Sequence, residues 1–359
     1  MKAAVCRAFG KPLVVEDVNL ASTGAGEIRV KLAACALCYS DIHYADGAWG
    51  GDLPAIYGHE AAGVVEEVGE GVTAFLPDDH VVVTLIRSCG HCYHCDRGTP
   101  VTCATTFPLD DKSPLTAADG ASIAHGLRTG AFAEYVLVDE SQAVVIPRDI
   151  HLDSAALLAC GVITGFGAVV NTAGVEPGSS VAVIGVGGVG LNSLQGAVFQ
   201  GAEPIIAVDV SDAKLRAARN FGATHTVNTT KHDPEAAVRA ATGGRLADYV
   251  FVTVGAKAAV DQALGLVAPA GAVVLVGMPA TGVMAEIDPG MIAALNQRIL
   301  GSKMGAARIQ TDIPMLIDLY RAGRLKLDEL ISGRYPLADI NKAIASVKRG
   351  EALRNVIVF

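Results

Sequence analysis

The hydrophobic positions of this 359-residue chain follow two different patterns along its length. Residues 1 to about 150 carry short Val, Ile and Leu runs that are separated by Gly, Pro and Asp. Apolar runs that are this short and are bounded by turn residues predict an all-β, barrel-like region. The runs that predict strands are residues 28–32, 63–68 and 80–85.

Beyond residue 180 the pattern changes to a buried strand, a glycine turn, an amphipathic helix and a strand again. This order predicts a parallel sheet with crossover helices, whose first strand is Val181–Ile184. After Gly301 the chain reads as helix-rich, and its final strand is expected to return to the first domain. Further strands are predicted at 205–208, 249–254, 272–276 and 355–359, and helices at 313–322 and 340–348.

One long segment, residues 104–130, carries no obvious secondary structure. Long connections without regular structure are uncommon in compact domains and are often functional. We therefore expect a loop here that borders a substrate pocket or a subunit contact.

The composition argues against two classes of partner, nucleic acids and membranes. Charged residues make up 18% of the chain and the formal net charge is −9, so no basic surface is available for a nucleic acid. Two stretches without charged side chains, 154–175 and 177–202, reach the length of a membrane span, but glycines and polar residues interrupt them, which argues against a membrane protein. The chain start lacks the pattern of a signal peptide, which predicts a cytoplasmic location.

Four of the eight cysteines form a cluster with the spacing Cys89-x2-Cys92-x2-Cys95-x7-Cys103. Four thiolates within so short a segment match the closed tetrahedral shell of a structural Zn²⁺. Two local disulfides or an iron–sulfur cluster are the alternatives, and the absence of a secretion signal argues against disulfides. A metal with no vacant position cannot bind substrate, so its predicted role is to stabilise a loop that has few apolar residues.

A glycine-rich turn follows the strand at Val181–Ile184 and precedes a helix-compatible segment, which is the context of a pyrophosphate-binding turn. Asp209 ends the next predicted strand, where a carboxylate accepts hydrogen bonds from ribose hydroxyls and repels a 2′-phosphate. The motif therefore predicts NAD rather than NADP. The alternative is a tight turn with Asp209 as a helix N-cap. The turn residues predicted to bind the cofactor are Gly185, Gly187, Gly188, Val189 and Gly190.

Three further residues are candidates for a second metal centre. A catalytic zinc needs three protein ligands and one open position, and Cys38, His59 and Cys160 are the candidates once the cysteine cluster is set aside. Their separation leaves an equal alternative, in which both cysteines are buried packing residues and the histidine caps a turn. The neighbouring residues decide between them: CYSDIH at 38–43, GHEAAGV at 58–64 and CGVITG at 160–165.

These three segments resemble the zinc-dependent medium-chain alcohol dehydrogenases. The match runs nearly the full length of the chain, in the family's order, and includes the cysteine cluster and the glycine turn. The resemblance implies an α/β fold: a GroES-like, β-barrel-type catalytic domain plus a Rossmann domain with a doubly wound parallel sheet. The expected boundaries are 1–161 and 305–359 for the catalytic zinc domain and 162–304 for the NAD-binding domain.

The resemblance also implies two zinc ions per subunit. Cys38, His59 and Cys160 would hold the catalytic zinc, and the four-cysteine cluster the structural one. Glu60 would lie beside the catalytic zinc, and Asp41 would accept the other ring proton of His59.

A proton relay and a substrate pocket follow from the same resemblance. Ser40 would accept the alcohol proton and pass it through the nicotinamide ribose to His43, whose ordinary pKa of about 6.5 suits exchange with water. Tyr39 departs from the family's frequent basic residue, which removes one charge from the pyrophosphate site. The resemblance places Thr164 against the nicotinamide, Lys214 at the adenosine ribose, Arg354 near the pyrophosphate, and Trp49, Leu85 and Met278 along the alcohol pocket.

The implied activity is the reversible oxidation of an alcohol to an aldehyde or ketone by NAD, in a homodimer or homotetramer. A thiol-adduct-dependent formaldehyde dehydrogenase is the alternative on the same scaffold, since residues 160–165 and 171–173 resemble that branch too. A catalytically silent nucleotide-binding protein would require the loss of a catalytic ligand. A metal-dependent hydrolase would leave the glycine turn without a purpose.

Overall fold

The structure of the protein is a computed structural model that describes residues 1–359. It contains eighteen strands and twelve α-helices. The strands are β1 (Lys2–Cys6), β2 (Val14–Leu20), β3 (Glu27–Ala36), β4 (Ala55–Ile56), β5 (Glu60–Val68), β6 (His80–Val83), β7 (Leu115–Ala117), β8 (Ser122–His125), β9 (Tyr135–Asp139), β10 (Ala143–Val145), β11 (Val181–Ile184), β12 (Ile205–Asp209), β13 (His225–Asn228), β14 (Ala247–Val252), β15 (Val267–Leu275), β16 (Arg298–Gly301), β17 (Ile331–Pro336) and β18 (Arg354–Val358).

Short 3₁₀ helices and one π-helix supplement the α-helices. The contacts divide the chain into two compact units, which are Met1–Cys160 with Arg308–Phe359, and Gly161–Ala307. The α-helices are α1 (Tyr39–Ala45), α2 (Tyr93–Asp96), α3 (Pro108–Asp111), α4 (Leu152–Ala156), α5 (Gly161–Gly167), α6 (Gly188–Phe199), α7 (Asp212–Asn220), α8 (Pro234–Ala241), α9 (Lys257–Leu266), α10 (Pro289–Ala294), α11 (Ile309–Arg321) and α12 (Ile340–Lys348).

The first unit is built from strands, as the short apolar runs predict. It combines a closed barrel, in the order β1-β2-β7-β8-β4, with a sheet in the order β10-β6-β5-β3-β18-β17, to which β9 adds through β3. Along β3 the residues Ile28, Val30 and Leu32 are buried while their neighbours are more exposed, which is the alternation of a strand with one face on the core. The last strand, β18, pairs antiparallel with β3, so the end of the chain lies in this unit.

The prediction that residues 104–130 lack secondary structure is wrong. This segment contains α3 and the strands β7 and β8, which pair with each other, and β7 also pairs with β2 to close the barrel. These strands are only three and four residues long, so a periodicity of apolar positions has no room to show.

The second unit contains the predicted parallel sheet, in the order β13-β12-β11-β14-β15-β16. All four residues of β11 are buried, as expected for a central strand covered on both faces. The chain adds β12 and β13 on one side of β11 and then β14, β15 and β16 on the other side. In such a sheet the carboxyl end of the strand at which the order reverses is the usual place for a ligand. The α/β fold class predicted from the sequence is thereby confirmed.

No single helix is both long enough and apolar enough to cross a membrane. Two neighbouring helical segments, Leu152–Ala159 and Gly161–Ala173, reach the required length and hydropathy only when they are taken together. Residues 154–169 of these segments are buried inside the protein.

Candidate active site

The structure brings the three predicted ligands of a catalytic metal together. Cys38 caps α1 directly after β3, His59 precedes β5, and Cys160 follows the short helix that continues α4. Their ligand atoms and a carboxylate oxygen of Glu60 all lie within 4.8 Å of one another, and all four residues are buried. Residues that are distant in the sequence therefore meet because β3 and β5 are paired neighbours, with Ala36 opposite Glu60.

Asp41 fixes the orientation of His59. One of its carboxylate oxygens, Oδ1, lies 2.9 Å from His59 Nδ1 and accepts the backbone N–H of Gly58 at 2.9 Å. Its other oxygen accepts the backbone N–H of Cys38 at 3.1 Å, so the carboxylate also fixes the loop that carries a second ligand. The other ring nitrogen, Nε2, is buried and has no hydrogen-bond partner, as expected for a nitrogen that is reserved for a metal ion.

The electrostatics of the cluster fit a divalent cation. Burial by itself lowers the pKa of His59, but the Asp41 carboxylate and, to a smaller extent, the Cys38 sulfur outweigh it and raise that pKa well above its ordinary value. The pKa of Cys38 lies well below its ordinary value because the thiol of Cys160 donates a hydrogen bond to it. Two sulfur atoms and one imidazole nitrogen are also the donor set of a known type of catalytic zinc site.

Sequence reasoning missed the ion pair between Arg354 and Glu60. The guanidinium of Arg354 donates a hydrogen bond to Glu60 Oε2, and both side chains are buried, at 6% and 0% exposure. Burial raises the pKa of Glu60 to about 7, and Arg354 acts in the opposite direction. The Arg354 side chain thus contacts the metal cluster through Glu60. Only the pairing of β18 with β3 reveals this contact. The contact with the cofactor's pyrophosphate that the family resemblance implies for Arg354 stays a prediction.

The four-cysteine cluster forms a second group of ligand atoms, which also lie within 4.8 Å of one another. The Cys92 sulfur lies 3.6 Å from that of Cys95 and 3.8 Å from that of Cys103. Four sulfurs at ~2.3 Å from one ion in a tetrahedron would be about 3.8 Å apart, so the spacing fits zinc. None of the eight cysteines forms a disulfide. We call residues 89–103 the cysteine lobe.

Donors in the cysteine lobe favour thiolates at two of its positions. The Thr105 hydroxyl and the backbone N–H of His91 lower the pKa of Cys89 to about 6, and the backbone N–H groups of Ala104 and Cys95 lower that of Cys92 to about 7. Burial instead raises the pKa of Cys95 to about 12. A dication would be needed to hold all four as thiolates together, because neighbouring negative charges repel.

The glycine turn lies at the carboxyl end of β11. Gly185 has a φ of 86°, and a Cβ there would come within 2.2 Å of Val254, so only glycine fits. A Cβ on Gly190 would clash with the Gly185 carbonyl oxygen at 2.0 Å. Because glycine has no Cβ, α6 can start this close to the strand. A Cβ on Gly187 would meet nothing within 4 Å, which leaves open space beside the first helical residues.

Asp209 lies at the end of β12, beside the glycine turn, as the sequence predicted. Its Oδ2 accepts the backbone N–H of Val186 at 2.9 Å, and its Oδ1 accepts that of Ser211 at 2.9 Å. The N-cap of α7 is Ser211, whose hydroxyl accepts the backbone N–H of Lys214, so Asp209 is not the cap. The carboxylate is therefore fixed at the edge of the turn.

Comparisons with known proteins agree over the full length of the chain. Residues 24–148 match the alcohol dehydrogenase GroES-like domain, and residues 188–321 match the zinc-binding dehydrogenase family. The chain is 38% identical over 375 residues to alcohol dehydrogenase class-3 of Zea mays. This match covers 100% of the present chain and 96% of the maize protein. The chain belongs to the zinc-dependent medium-chain alcohol dehydrogenases.

Solved structures of this family share the fold. An alcohol dehydrogenase zinc-binding domain protein from Burkholderia ambifaria superimposes with a TM-score of 0.95 at 36% identity and covers 100% of this chain and 98% of its own. A benzyl alcohol dehydrogenase from Acinetobacter calcoaceticus gives a TM-score of 0.92 at 30% identity, with 100% and 99% covered.

In this member of the alcohol dehydrogenases, the predicted relay residues lie on one helix. Ser40 and His43 are both half-buried and are separated by three positions in α1, so they share a face. The His43 ring lies between two aromatic side chains, with ring centroids 4.9 Å from Tyr39 and 4.9 Å from Trp49. Burial lowers the pKa of His43, and Asp46 opposes this shift.

The other predicted residues are distributed over both units. Leu85 is half-buried in the first unit, near the end of β6. In the second unit, the Thr164 hydroxyl is buried on α5 and donates to the Met304 sulfur at 3.7 Å. Lys214 is half-buried near the start of α7, and Met278 is 62% exposed. Their roles toward cofactor and substrate stay predictions.

Proposed function

We propose that Cys38, His59 and Cys160 hold a catalytic zinc at which this enzyme oxidises alcohols to aldehydes or ketones, reversibly, with NAD as the hydride acceptor. The observation that carries the proposal is the convergence of two sulfurs and an orphaned imidazole nitrogen in one buried cluster. Zinc supplies Lewis acidity there, which makes an alcohol hydroxyl easier to deprotonate. Asp41 keeps Nε2 of His59 directed at that position.

The proton leaves through α1 in this proposal. Ser40 accepts the hydroxyl proton of the alcohol, and His43, three positions later on the same face, exchanges it with water. Because burial lowers the pKa of His43, its imidazole is neutral and able to accept a proton at pH 7.

Glu60 and Arg354 complete the centre as a charge pair. Arg354 neutralises the Glu60 carboxylate, so that this buried negative charge adds little to the two thiolates of the cluster. The pair also fixes β18 against the start of β5, which keeps the ligand-bearing residue His59 in place.

We propose NAD rather than NADP as the cofactor. Both carboxylate oxygens of Asp209 accept backbone N–H groups, so the carboxylate cannot turn away from the glycine turn. A fixed negative charge at this position favours ribose hydroxyls and repels a 2′-phosphate.

We further propose two zinc ions per subunit, with the structural ion in the cysteine lobe, and a homodimer or homotetramer in the cytoplasm. The free state of all eight cysteines is consistent with a reducing compartment. An oligomer is supported by the edge strand β16, which carries the exposed Ile299, and by the exposed Met284, Ile287 and Met291 in the same unit. Exposed apolar side chains near an open sheet edge favour association with another chain.

A spectrophotometric screen tests the function. Alcohols and aldehydes are offered with NAD(H) and with NADP(H), with and without glutathione, and the zinc content of the same preparation is measured. We expect NADH formation from a free alcohol without thiol, and two zinc ions per subunit. NADH formation only in the presence of the thiol would support the thiol-adduct formaldehyde dehydrogenase instead. One zinc per subunit in fully active protein would contradict the proposal.

A further inference from the structure

A buried arginine that no step of the proposed chemistry uses lies at the base of the cysteine lobe. Arg87 stands two residues before Cys89 and is only 2% exposed. Its Nε donates to Gln142 Oε1 at 2.7 Å, one terminal nitrogen donates to Asp110 Oδ1 at 3.0 Å, and the other donates to the Arg128 carbonyl oxygen at 3.2 Å. Burying a guanidinium is costly unless several acceptors satisfy it, so this position is built for an arginine.

The contact of Arg87 with Asp110 closes the base of the cysteine lobe. Asp110 lies on α3, shortly after Cys103, so the Arg87–Asp110 pair joins the two chain segments that enter and leave the lobe. Phe107 reinforces this closure, because its ring lies 5.5 Å from the Arg87 guanidinium carbon. The ends of the lobe are therefore fixed to each other, while its four cysteines lie between them.

The contact of Arg87 with the Arg128 carbonyl oxygen fixes a strained segment. Leu127 and Arg128 have φ values of 53° and 60°, a left-handed conformation that side-chain-bearing residues rarely adopt. The Arg128 carbonyl oxygen accepts hydrogen bonds from Arg87 and also from Gln142 Nε2, at 3.0 Å. Such strain persists where surrounding contacts over-determine the backbone, and these two donors provide that constraint.

The strained segment leads directly to the ligand His59. Ala131 donates its backbone N–H to the Gly58 carbonyl oxygen at 2.9 Å, and Phe132 donates to the Tyr57 carbonyl oxygen at 2.8 Å. Gly58 has a φ of 93°, and a Cβ on it would come within 2.6 Å of the Phe132 nitrogen, so the two backbones are in close contact. Any shift of residues 126–132 is therefore passed to the residue just before His59.

We infer that Arg87 is a positioning residue that connects the two metal centres, because one guanidinium holds both the base of the cysteine lobe and the segment packed against Gly58–His59. Arg87 touches neither set of ligands. The inference rests on the proposed zinc sites, but it adds that the rate at which each site loses its zinc depends on this one side chain.

The test is zinc release from the full-length enzyme to a chromogenic chelator. Wild-type protein is expected to release its zinc in two phases, and a Cys38→Ser variant, which keeps only the zinc of the lobe, assigns them. In Arg87→Met we expect both phases to accelerate by about tenfold. Removing a group that supports the metal ligands from outside typically lowers metal affinity by about 10- to 100-fold, and we expect the lower end of that range as faster release. The Co²⁺-loaded protein adds a second readout, since the absorption bands of Co²⁺ at the Cys38–His59–Cys160 centre should shift if its ligand geometry changes.

Arg128→Gln is the matched control. Arg128 pairs with the same Asp110 oxygen at 3.1 Å, but its side chain is 44% exposed, and its backbone carbonyl is unaffected by the substitution. In Arg87→Met this pair also keeps Asp110 from being left unpaired. We expect Arg128→Gln to release zinc at the wild-type rate.

The outcomes separate the possibilities. If Arg87→Met leaves the phase of the catalytic centre unchanged, or if Arg128→Gln accelerates release as much, the inference is wrong. If Arg87→Met does not fold, Arg87→Lys carries the test: a lysine keeps the charge without the planar fork, so a smaller acceleration of both phases is expected, and unchanged rates contradict the inference. Wild-type protein with only one zinc would contradict the proposed function instead.

Discussion

The two candidate metal centres differ in where their geometry comes from. The cysteine lobe takes its four ligands from a single short segment that is only half-buried, whereas Cys38, His59 and Cys160 come from three separate segments and are fully buried. In the lobe, the metal must supply most of the stabilisation, because the segment contributes little apolar surface to a core. In the buried centre, the fold has already placed the ligands, so one position of the metal can stay open for a substrate.

The largest expected effect is at the buried centre. In Cys38→Ser the catalytic zinc should be lost and turnover should fall by about a thousandfold or more, because a neutral hydroxyl is a poor replacement for a thiolate. The thermal midpoint should stay close to that of the wild type, since β3 and β5 hold the surrounding backbone. Zinc content, steady-state rates and a thermal melt measure these quantities.

Cys35→Ser is the control for that variant. Cys35 lies three residues earlier and is fully buried; its thiol donates to the Ala36 carbonyl oxygen at 3.7 Å, and its sulfur accepts the backbone N–H of Glu60. It should keep both zinc ions and near wild-type turnover. Turnover retained in Cys38→Ser would remove this residue from the reaction.

The second effect is at the lobe, and it should show in stability rather than in chemistry. Cys103→Ser should lose one zinc and lower the thermal midpoint by roughly 4 °C, the size expected for a loss of about 3 kcal/mol in a protein of this length. In buffer with excess zinc, turnover at 25 °C should stay within a few-fold of the wild type. A Cys6→Ser variant, at a buried thiol outside both clusters, controls for the loss of a cysteine. An unchanged midpoint in Cys103→Ser would contradict a structural zinc.

These two centres also show what the sequence can predict. The lobe is visible in the sequence because its ligands are close in the chain, and the spacing alone indicates four-sulfur coordination. The central strands of the parallel sheet are visible for a similar local reason, since strands buried on both faces, such as β11, are continuous apolar runs.

Contacts made by strand pairing are not visible in this way. Cys38, His59 and Cys160 became a site only through a family resemblance, and the pair of Arg354 with Glu60 was missed, because it depends on the register that places Val356 opposite Ala36. Short strands such as β7 were missed because three residues cannot show an alternation.

The third effect tests whether the fold orients the ligands of the buried centre. In Asp41→Asn one carboxylate oxygen becomes an amide donor, so the side chain can no longer accept from His59 and Gly58 at one oxygen and from the Cys38 N–H at the other. Zinc affinity at this centre should fall by about 10- to 100-fold, while the zinc of the lobe should stay in place. Competition with a chelator of known affinity measures both. Equal loss from both centres would mean that Asp41 supports the unit as a whole rather than His59.

The smallest effect concerns the exchange of protons between the buried centre and water, for which the lobe has no counterpart. Burial lowers the pKa of His43 below 6.5, with Asp46 and Cys38 acting in the opposite direction. The neutral imidazole is the form that accepts a proton, so alcohol oxidation should hold from pH 8 down to about 6.5 and fall as the pH drops through the lowered pKa. In His43→Gln the rate near neutrality should fall by about tenfold and this acidic limb should flatten. Rates of the variant that equal those of the wild type between pH 6 and pH 8 would exclude His43 from the relay, because a group that carries the proton cannot be removed without changing how the rate depends on pH.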